Sequence, residues 1–355
     1  MIQQYLVRIL LMPFALLYGL GVSLRNAFYR MGLLKSLSFN VPVISVGNLS
    51  VGGAGKTPHI EYIVLQLRDH LHMATLSRGY RRKTRGFQEV VARSNAEEVG
   101  DEPLQFKRKF PDLGVYVSED RAFAIPQIMM RRPNTQLVLL DDAFQHRAVQ
   151  PGLNILLTQY RKPFTRDFLL PAGRLREWPS AYERADVMIV TKCPHDLSRE
   201  TAGQLRTELK PLPHQSLYFT HYQYRAPYYA FNPRYRLNLE PDLEVLLISA
   251  IANTDYLMEY LQGQVAEVHT LEFEDHHYFT GYDMGRLKQD FERIDTRRKV
   301  IITTEKDATR LELHREYLVE QRLPIFVLPV VVEFLFEEGP RFDQQVKQYL
   351  LDFKA

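Results

Sequence analysis

A glycine-rich segment that follows an apolar run constrains the fold of this chain more than any other feature. The run, Val41–Val46, has the composition of a buried strand, and the segment reads Ser50-Val51-Gly52-Gly53-Ala54-Gly55-Lys56-Thr57. Apart from Ser50, which replaces the first glycine, it has the G-x-x-x-x-G-K-[ST] pattern of a phosphate-binding loop. Pro58 can begin the helix that completes the unit. We therefore predict a strand, a loop and a helix that bind the phosphates of a nucleotide.

Each residue type in this loop has a chemical task. Backbone N–H groups from Ser50 to Gly55 can wrap the phosphates, and the helix that follows adds its positive end. The Lys56 ammonium would reach the β- and γ-phosphates, and the Thr57 hydroxyl would ligate Mg²⁺.

A second apolar run ends in two acids. Leu137–Leu140 reads as a buried strand and is followed by Asp141 and Asp142. One of these carboxylates would hold Mg²⁺ directly or through water. Two aspartates at a strand end can also be only a turn cap, but the phosphate-binding loop in the same chain favours the metal role.

The order of apolar runs and helical stretches predicts the fold class. Continuous apolar strands separated by helices are typical of a parallel sheet covered on both faces. A proline- and tyrosine-rich stretch, Pro211–Pro241, interrupts this pattern, and strands and helices alternate again after it. Phe326–Val332 is expected to be one strand that pairs with Leu217–Tyr222 and links the two lobes. The predicted α/β protein has an N-terminal helix at 1–38, a P-loop NTPase core with helices on both faces at 39–215 and a second, smaller α/β lobe at 216–355. This last range includes the hinge strands and a C-terminal helix.

The N-terminal segment is apolar and has basic flanks. From Ile9 to Leu24 no residue is charged, while Arg8 precedes this run and Arg25 follows it. Sixteen helical residues rise about 24 Å, which is less than the ~30 Å hydrocarbon core of a bilayer. A secretory signal would need a small-residue cleavage site, which does not follow. We predict an uncleaved membrane-associated helix, with a buried core helix as the alternative.

Charge placement also favours a membrane surface. The chain has 45 basic and 42 acidic residues, a net charge of +3. Five basic residues and no acidic residue precede Glu61, so the remainder has 40 against 42, a net of −2. A basic excess confined to the N-terminus favours an anionic membrane surface, and we expect no nucleic-acid partner. The single cysteine, Cys193, excludes a disulfide framework.

Two clusters of ionisable residues are candidates for acid–base chemistry. Gly100-Asp101-Glu102-Pro103 puts two carboxylates at a predicted helix start, where they could also act only as caps. Glu274–Phe279 contains His276 and His277, and a single histidine paired with an aspartate would serve as base and orienter. Adjacent histidines point in different directions, which disfavours a metal site built on both.

Two arginine-rich segments could contact anionic groups. Ser77–Lys83 either contacts an acidic substrate or lipid headgroups, or it is a solvated loop. In Pro171–Glu177, the Arg176 guanidinium could neutralise the oxygens of a transferring phosphate, and Glu177 could support the metal.

The phosphate-binding loop leaves an alternative function open, a membrane-associated P-loop ATPase switch that hydrolyses ATP to change binding partners. The loops of membrane-bound partitioning ATPases carry a lysine at the position of Val51, and this disfavours the alternative. Guanine recognition needs N-K-x-D. Thr191–Pro194 lacks the aspartate of that motif, and Thr304–Asp307 is explained equally well by a helix cap.

Taken together, the motifs resemble those of the tetraacyldisaccharide 4′-kinase family, the lipid A kinases of Gram-negative bacteria. The matching pieces occur in the family's order from Val46 to Ala308, namely VGNLSVGGAGKTP, SRGYRRK, GDEP, DDAFQHR, PAGRLRE, DHH and TEKDA. The departures are small: Ser50 in the loop and Ala143 where the family has glycine.

This resemblance implies an activity. The family transfers the γ-phosphate of ATP, with Mg²⁺, to the 4′-hydroxyl of an acylated glucosamine disaccharide 1-phosphate in lipid A (lipopolysaccharide) biosynthesis. It works at the cytoplasmic face of the inner membrane, and its two lobes are joined by a two-stranded hinge. We expect the anionic inner-membrane surface as a partner, anchoring through the N-terminal helix, and a monomer.

The resemblance also implies residue roles. Asp101 is the expected catalytic base with His276 as its partner, and the sequence leaves open whether Asp101 removes the acceptor proton itself or positions His276 to do so. Lys56 acts on the phosphates. Nucleotide-binding residues are Ser50, Val51, Gly52, Gly53, Ala54, Gly55, Lys56, Thr57, Arg176 and Glu177; metal ligands are Thr57, Asp141 and Asp142; substrate-binding residues are Arg78, Tyr80 and Gln145. The 1-phosphate of the disaccharide would give the basic stretch at Arg78–Lys83 a ligand.

Overall fold

Two sheets organise the chain, and a computed structural model describes residues 2–354, with side chains from residue 7 onward. Up to the first crossing between lobes, the strands are β1 (Val43–Asn48), β2 (Met73–Ser77), β3 (Gln88–Glu89), β4 (Gly114–Val117), β5 (Leu137–Asp141), β6 (Leu153–Gln159), β7 (Val187–Thr191) and β8 (Ser216–Tyr224). The smaller lobe holds β9 (Tyr228–Tyr229), β10 (Asn232–Arg236), β11 (Glu244–Ser249), β12 (Glu267–Glu272), β13 (Lys299–Thr304) and β14 (Ile325–Leu328). The chain then returns to the larger lobe as β15 (Val330–Phe334).

Helices alternate with these strands. They are α1 (Ile2–Arg30), α2 (Lys56–Leu67), α3 (Ala96–Val99), α4 (Asp101–Lys109), α5 (Arg121–Arg131), α6 (Arg199–Leu209), α7 (Asp255–Gln262), α8 (Gly281–Arg293), α9 (Glu305–Leu311), α10 (Arg315–Glu320) and α11 (Gly339–Asp352).

The larger sheet has nine strands in the order β15-β8-β7-β6-β1-β5-β2-β4-β3. Its seven inner strands are parallel, and both edge strands, β3 and β15, are antiparallel to their neighbours. Helices α2, α4 and α11 cover one face, and α5 and α6 cover the other. Because both faces are buried, β5 and β7 read as continuous apolar runs rather than alternating ones. The predicted α/β fold class is confirmed.

The smaller sheet follows the same principle on a reduced scale. Its six strands run in the order β10-β9-β14-β13-β11-β12, with β11, β12, β13 and β14 parallel. Two connections join the lobes, one between β8 and β9 and the other between β14 and β15.

One predicted strand was wrong. Phe326–Val332 is two strands, because Pro329 separates β14 from β15 and the chain changes sheets there. β15 does pair with the end of the expected partner, from Thr220 to Tyr224. Sheet membership also divides the chain differently from the expected boundary at residue 216. Residues 216–224 and 330–352 go with the larger lobe, because β8 extends the larger sheet parallel to β7.

The N-terminal helix lies against the larger lobe along one narrow stripe. Ala15 is 3% exposed, whereas Leu10 is 73% exposed, and Val7–Arg30 is long and apolar enough to cross a membrane. Its other outward apolar side chains include Ile9, Phe14, Leu16, Leu17, Leu20 and Leu24. The exposed face is inconsistent with the alternative of a buried core helix.

Candidate active site in the cleft between the lobes

A cleft of about 990 Å³ opens between the lobes at the carboxyl ends of the parallel strands. β1 and β5 are adjacent, with Val46 paired to Asp141, so the loops that follow these two strands meet at one edge. All of the predicted site residues except Asp101 lie in the cleft wall. Asp101 lies just behind the wall, 4% exposed.

The phosphate-binding loop adopts a conformation that depends on two glycines. Gly52 and Gly55 have φ angles of +104° and +87°, in the left-handed region that other residues rarely adopt. A Cβ at Gly55 would lie 2.5 Å from the Tyr222 hydroxyl. α2 begins directly at Lys56, so its first backbone N–H groups face the cleft.

Lys56 and Arg176 converge on Asp142 and on a residue that the sequence did not single out, Asn48. Lys56 Nζ donates to Asn48 Oδ1 at 3.2 Å and lies 3.7 Å from Asp142 Oδ2. Arg176 Nη2 donates to Asp142 Oδ1 and to the Asn48 carbonyl, both at 2.7 Å. Burial opposes ionisation of Asp142, but the charges of Lys56 and Arg176 hold the pKa of its carboxyl well below the usual range. Two cations are thereby held beside the loop.

Asp141 is in a different state. Its Oδ1 atom is buried and has no hydrogen-bond partner among residues 2–354. Burial, and then the negative charge of Glu102, raise the pKa of Asp141 to about 8. A buried carboxylate without a partner fits a cation, and an oxygen ligand of this kind suits Mg²⁺.

Asp101 and His276 come from different lobes and form a hydrogen-bonded pair. Asp101 begins α4, and its Oδ1 accepts from the Glu102 backbone N–H at 3.0 Å. The Oδ2 atom lies 3.0 Å from His276 Nδ1. Gly100 precedes Asp101 with φ +91° and ψ 155°, a conformation almost confined to glycine. Gly100 packs against the backbone of Gly79, so the G-D-E-P and S-R-G-Y motifs are in contact.

Neighbouring groups keep the Asp101 carboxyl of this pair ionised. Burial alone would raise the pKa of Asp101, but the His276 hydrogen bond and the charges of Lys306 and Arg310 hold it below the usual range. Asp101 is therefore suited to orient the imidazole, and His276 presents its ring to the cleft.

The two adjacent histidines do point apart, as expected. His277 Nε2 lies 3.0 Å from Asp283 Oδ2, and its ring stacks on Phe273. Asp283 in turn caps α8. His276 instead has a left-handed backbone, with φ +62°, and its ring meets that of Tyr80 at 4.9 Å. The geometry thus separates a cleft histidine from a structural one.

The basic stretch from Arg78 to Lys83 divides into two parts. Arg78, Tyr80 and Arg81 line the cleft, and Arg81 Nη1 donates to the carbonyls of Asp275 and His276 at 2.9 and 3.2 Å. Arg82 and Lys83 instead form salt bridges with Glu119 and Glu97.

Helix α1 forms one side of the cleft. Tyr18 donates its hydroxyl to the Arg176 carbonyl at 2.9 Å, and Arg25 Nη2 donates to the Gln145 carbonyl at 2.9 Å. The Glu177 carboxylate accepts from Asn26 at 3.1 Å and from Arg184 at 3.2 Å, so it ties this helix to the core. Gln145 donates to the Asn48 carbonyl at 3.0 Å, beside the phosphate-binding loop.

Sequence reasoning missed a cation at the far wall of the cleft. Lys192, at the end of β7, lies over the rings of Tyr222 and Tyr256 at 5.4 and 5.0 Å. Burial lowers the pKa of its ammonium to about 8. The Thr191–Pro194 segment was considered only for guanine recognition, and its position at a strand end was the available signal.

Comparison with known proteins decides the family. A family model described as tetraacyldisaccharide-1-P 4′-kinase matches residues 7–351. This chain belongs to the tetraacyldisaccharide 4′-kinase family. The match spans both lobes, the cleft and most of α1, and it confirms the resemblance found in the motifs.

Members of the tetraacyldisaccharide 4′-kinase family resemble this chain over nearly its whole length. The chain is 42% identical over 353 residues to the tetraacyldisaccharide 4′-kinase of Bacteroides thetaiotaomicron, covering 96% of this chain and 92% of the relative. The enzyme of Flavobacterium johnsoniae is 42% identical over 345 residues, covering 97% and 98%. A crystal structure of "apo" form LpxK from Aquifex aeolicus in complex with ATP has a TM-score of 0.73 and 27% identity, covering 97% of this chain and 99% of that chain.

Proposed function

We propose that this chain transfers the γ-phosphate of ATP to the 4′-hydroxyl of tetraacyldisaccharide 1-phosphate, a lipid A precursor. One observation carries the proposal: an Asp–His pair built from both lobes lies in the same cleft as a phosphate-binding loop, and an exposed apolar helix forms the side of that cleft. Family membership and the ATP-bound relative support the same reaction.

The phosphate-binding loop would hold ATP. Backbone N–H groups of the loop and of the start of α2 would bind the phosphates, with Lys56 and Arg176 as the cationic side chains. Both cations now contact Asp142, and phosphate oxygens would compete for their hydrogen atoms. Placing cations where negative charge develops lowers the barrier to phosphoryl transfer.

Thr57, Asp141 and Asp142 would hold Mg²⁺. Asp141 fits this role best, because its buried Oδ1 has no hydrogen bond within the described residues, whereas Asp142 is already paired with Arg176. When bound, Mg²⁺ neutralises charge on the β- and γ-phosphates.

The Asp101–His276 pair would take the proton of the acceptor hydroxyl. As the hydroxyl oxygen forms its bond to the γ-phosphorus, the bond between that phosphorus and the bridging oxygen of ADP breaks, and the proton passes to the pair. The ionised carboxylate of Asp101, 3.0 Å from His276 Nδ1, would stabilise the positive charge of the protonated ring.

Arg78, Tyr80 and Gln145 would contact the sugar–phosphate part of the acceptor. They line the same cleft as Tyr18, Val22 and Arg25 of α1. The acyl chains could then follow the exposed apolar face of α1 into a bilayer. We propose that the protein acts at the cytoplasmic face of the inner membrane, held by this helix and its basic flanks, and that it acts as a monomer.

The test follows γ-labelled ATP in the presence of Mg²⁺ and detergent-dispersed disaccharide 1-phosphate, with products separated by thin-layer chromatography. We expect label on the lipid in the wild type and loss of that label in Asp101→Asn, with ATP binding retained. Label that appears only as inorganic phosphate, whether or not lipid is present, would contradict the kinase and favour the ATPase switch.

A further inference from the structure

Lys306 is a charged residue of the cleft wall for which the proposed reaction has no role. It lies in the first turn of α9, in the smaller lobe, and its side chain is 19% exposed. Its Nζ atom lies 3.1 Å from His276 Nε2, the ring nitrogen opposite the one that contacts Asp101. Three carboxylates surround the same Nζ atom: Glu102 at 3.6 Å, Asp275 at 3.7 Å and Asp101 at 3.9 Å.

These carboxylates keep Lys306 charged. Burial would lower the pKa of its ammonium, but Glu102, Asp101 and Asp275 together raise that pKa above the usual value. A lysine ammonium has hydrogen-bond donors and no acceptor. In the 3.1 Å contact, Lys306 must therefore donate and His276 Nε2 must accept.

This contact agrees with the Asp101 contact on the tautomer of the histidine, and it opposes a second proton on the ring. If Nε2 accepts a hydrogen bond, it carries no proton, and the proton of the neutral ring is on Nδ1. Nδ1–H then donates to Asp101 Oδ2 at 3.0 Å. The nitrogen without a proton is the one that a base must offer to an acceptor hydroxyl.

We infer that Lys306 is a positioning residue of the phosphotransfer reaction, which holds His276 in the Nδ1–H tautomer and disfavours proton uptake by the Asp101–His276 pair before the acceptor arrives. The inference rests on the proposed function. Lys306 acts through His276, and the acceptor hydroxyl would take its place at Nε2.

A purely structural role is the competing explanation, because α4 and α9 also hold the lobes together. Lys109 of α4 bridges Glu61 at 2.7 Å and Glu305 at 2.8 Å, and Arg108 forms an ion pair with Glu312. Arg108 provides a matched control: it is a cation in the same contact between lobes, but it does not touch the Asp101–His276 pair.

The other charged and titratable groups that face the pair stay in place when Lys306 changes. They come from α4, from α9, from the segment after β2 and from the segment after β12, and they are Glu102, Arg310, Tyr80, Arg81, Asp275 and Tyr278. Removing one positive charge from this set leaves the pair with a stronger hold on a proton.

The experiment measures kcat/KM for lipid phosphorylation against pH, with the full-length protein in detergent. In Lys306→Met, we expect the midpoint of the acidic limb to move to higher pH by about one unit. Lys306→Arg keeps a cation and should restore the midpoint toward that of the wild type. Arg108→Met should not shift the midpoint, and any loss of rate should be the same at every pH. Equal behaviour of Lys306→Met and Arg108→Met would overturn the inference and leave Lys306 as a lobe contact.

A second measurement does not depend on activity. Nitrogen-15 chemical shifts of labelled histidine distinguish a protonated ring nitrogen from a bare one, and His276→Gln assigns the signal. We expect a bare Nε2 in the wild type, and a protonated Nε2 would overturn the inference. If the wild type transfers no phosphate to the lipid, the proposed function fails, and the protonation of Nε2, compared at the same pH between the wild type and Lys306→Met, still decides the inference about Lys306.

Discussion

The cleft has a nucleotide half around the phosphate-binding loop and an acid–base half around the Asp101–His276 pair. One buried aspartate in each half shows how differently the two are built. Asp101 is surrounded by His276, Lys306 and Arg310, which hold the pKa of its carboxyl below the usual range. Asp141 has a buried oxygen without a hydrogen-bond partner in the described part of the chain, and its pKa is raised to about 8. Cationic side chains thus partner the carboxylate of the acid–base half, whereas in the nucleotide half they partner Asp142 and leave Asp141 Oδ1 without a hydrogen bond in the described residues.

The halves also differ in how they are assembled. The phosphate-binding loop and Asp141 follow neighbouring strands of one sheet, so the larger lobe alone fixes their positions. The acid–base pair joins residues 175 positions apart and from opposite lobes. We therefore expect nucleotide binding to tolerate changes that disturb the contact between the lobes, and phosphate transfer to fail with them.

The largest effect should separate the two adjacent histidines. His276→Gln removes the ring that faces the cleft, and we expect kcat to fall by about 10²–10⁴-fold, the usual contribution of a general base. His277→Gln is the matched control and should keep kcat within about threefold, because His277 contacts Asp283 and Phe273 outside the cleft wall. ATP affinity, measured by calorimetry, should change little in either variant. Similar losses of kcat in both variants would contradict the separation.

The second effect is on stability and depends on pH. An Asp141 carboxyl with a pKa of about 8 keeps its proton in the folded chain after an unfolded aspartate, with a pKa near 4, has lost it. The folded state then binds more protons between these values, so this residue lowers stability as pH rises from about 4 to about 8.

Asp141→Asn should remove that decline. Without nucleotide or metal, we expect the variant to be more stable than the wild type by about 1–3 kcal/mol at pH 8, because a buried charge without a partner is gone, and equal to it near pH 4. Urea unfolding at both pH values measures the difference, in which the titrating groups that do not interact with Asp141 cancel. A difference that is the same at both pH values would show that Asp141 is ionised and partnered when no metal is present. The same variant should lose stabilisation by Mg²⁺.

The conformation of the phosphate-binding loop was predictable from the sequence, whereas the contact between Asp101 and His276 was not. The loop from Ser50 to Thr57 carries its geometry in contiguous residues, because left-handed glycines and a helix start are local features. The pairing of Asp101 with His276 came from the family resemblance, since spacing along the chain does not specify a contact between lobes. The structure adds the reason that His276 rather than His277 faces the cleft, a left-handed backbone at His276.

Tertiary packing accounts for the residues that sequence reasoning left out. Lys192 follows β7 of the larger lobe, and Lys306 lies just after β13 of the smaller lobe. They line the same cleft only because the two lobes pack together. The T-E-K-D motif does act as the helix cap that was one alternative, with Thr304 accepting from the Asp307 backbone N–H. That cap puts Lys306 in the first turn of α9, beside the acid–base pair. Pro329, which splits one predicted strand, was visible in the sequence, but the change of sheet was not.

The smallest effect should distinguish Arg81 from Lys83 within the basic stretch Arg78–Lys83. Arg81 supports the His276 segment by donating to two of its carbonyls, so Arg81→Ala should lower kcat by about tenfold, as expected when one charged hydrogen-bonding group worth about 1.5 kcal/mol is lost. Lys83 is 68% exposed and pairs with Glu97 at the surface, and such pairs contribute about 0–1 kcal/mol. Lys83→Ala should therefore leave kcat within about twofold and the free energy of unfolding within about 0.5 kcal/mol. The lipid-phosphorylation assay and urea unfolding compare the two variants directly. A larger loss of kcat for Lys83→Ala than for Arg81→Ala would mean that the acceptor contacts the outer part of the stretch, and an unchanged kcat in Arg81→Ala would show that its support of His276 is not needed for transfer.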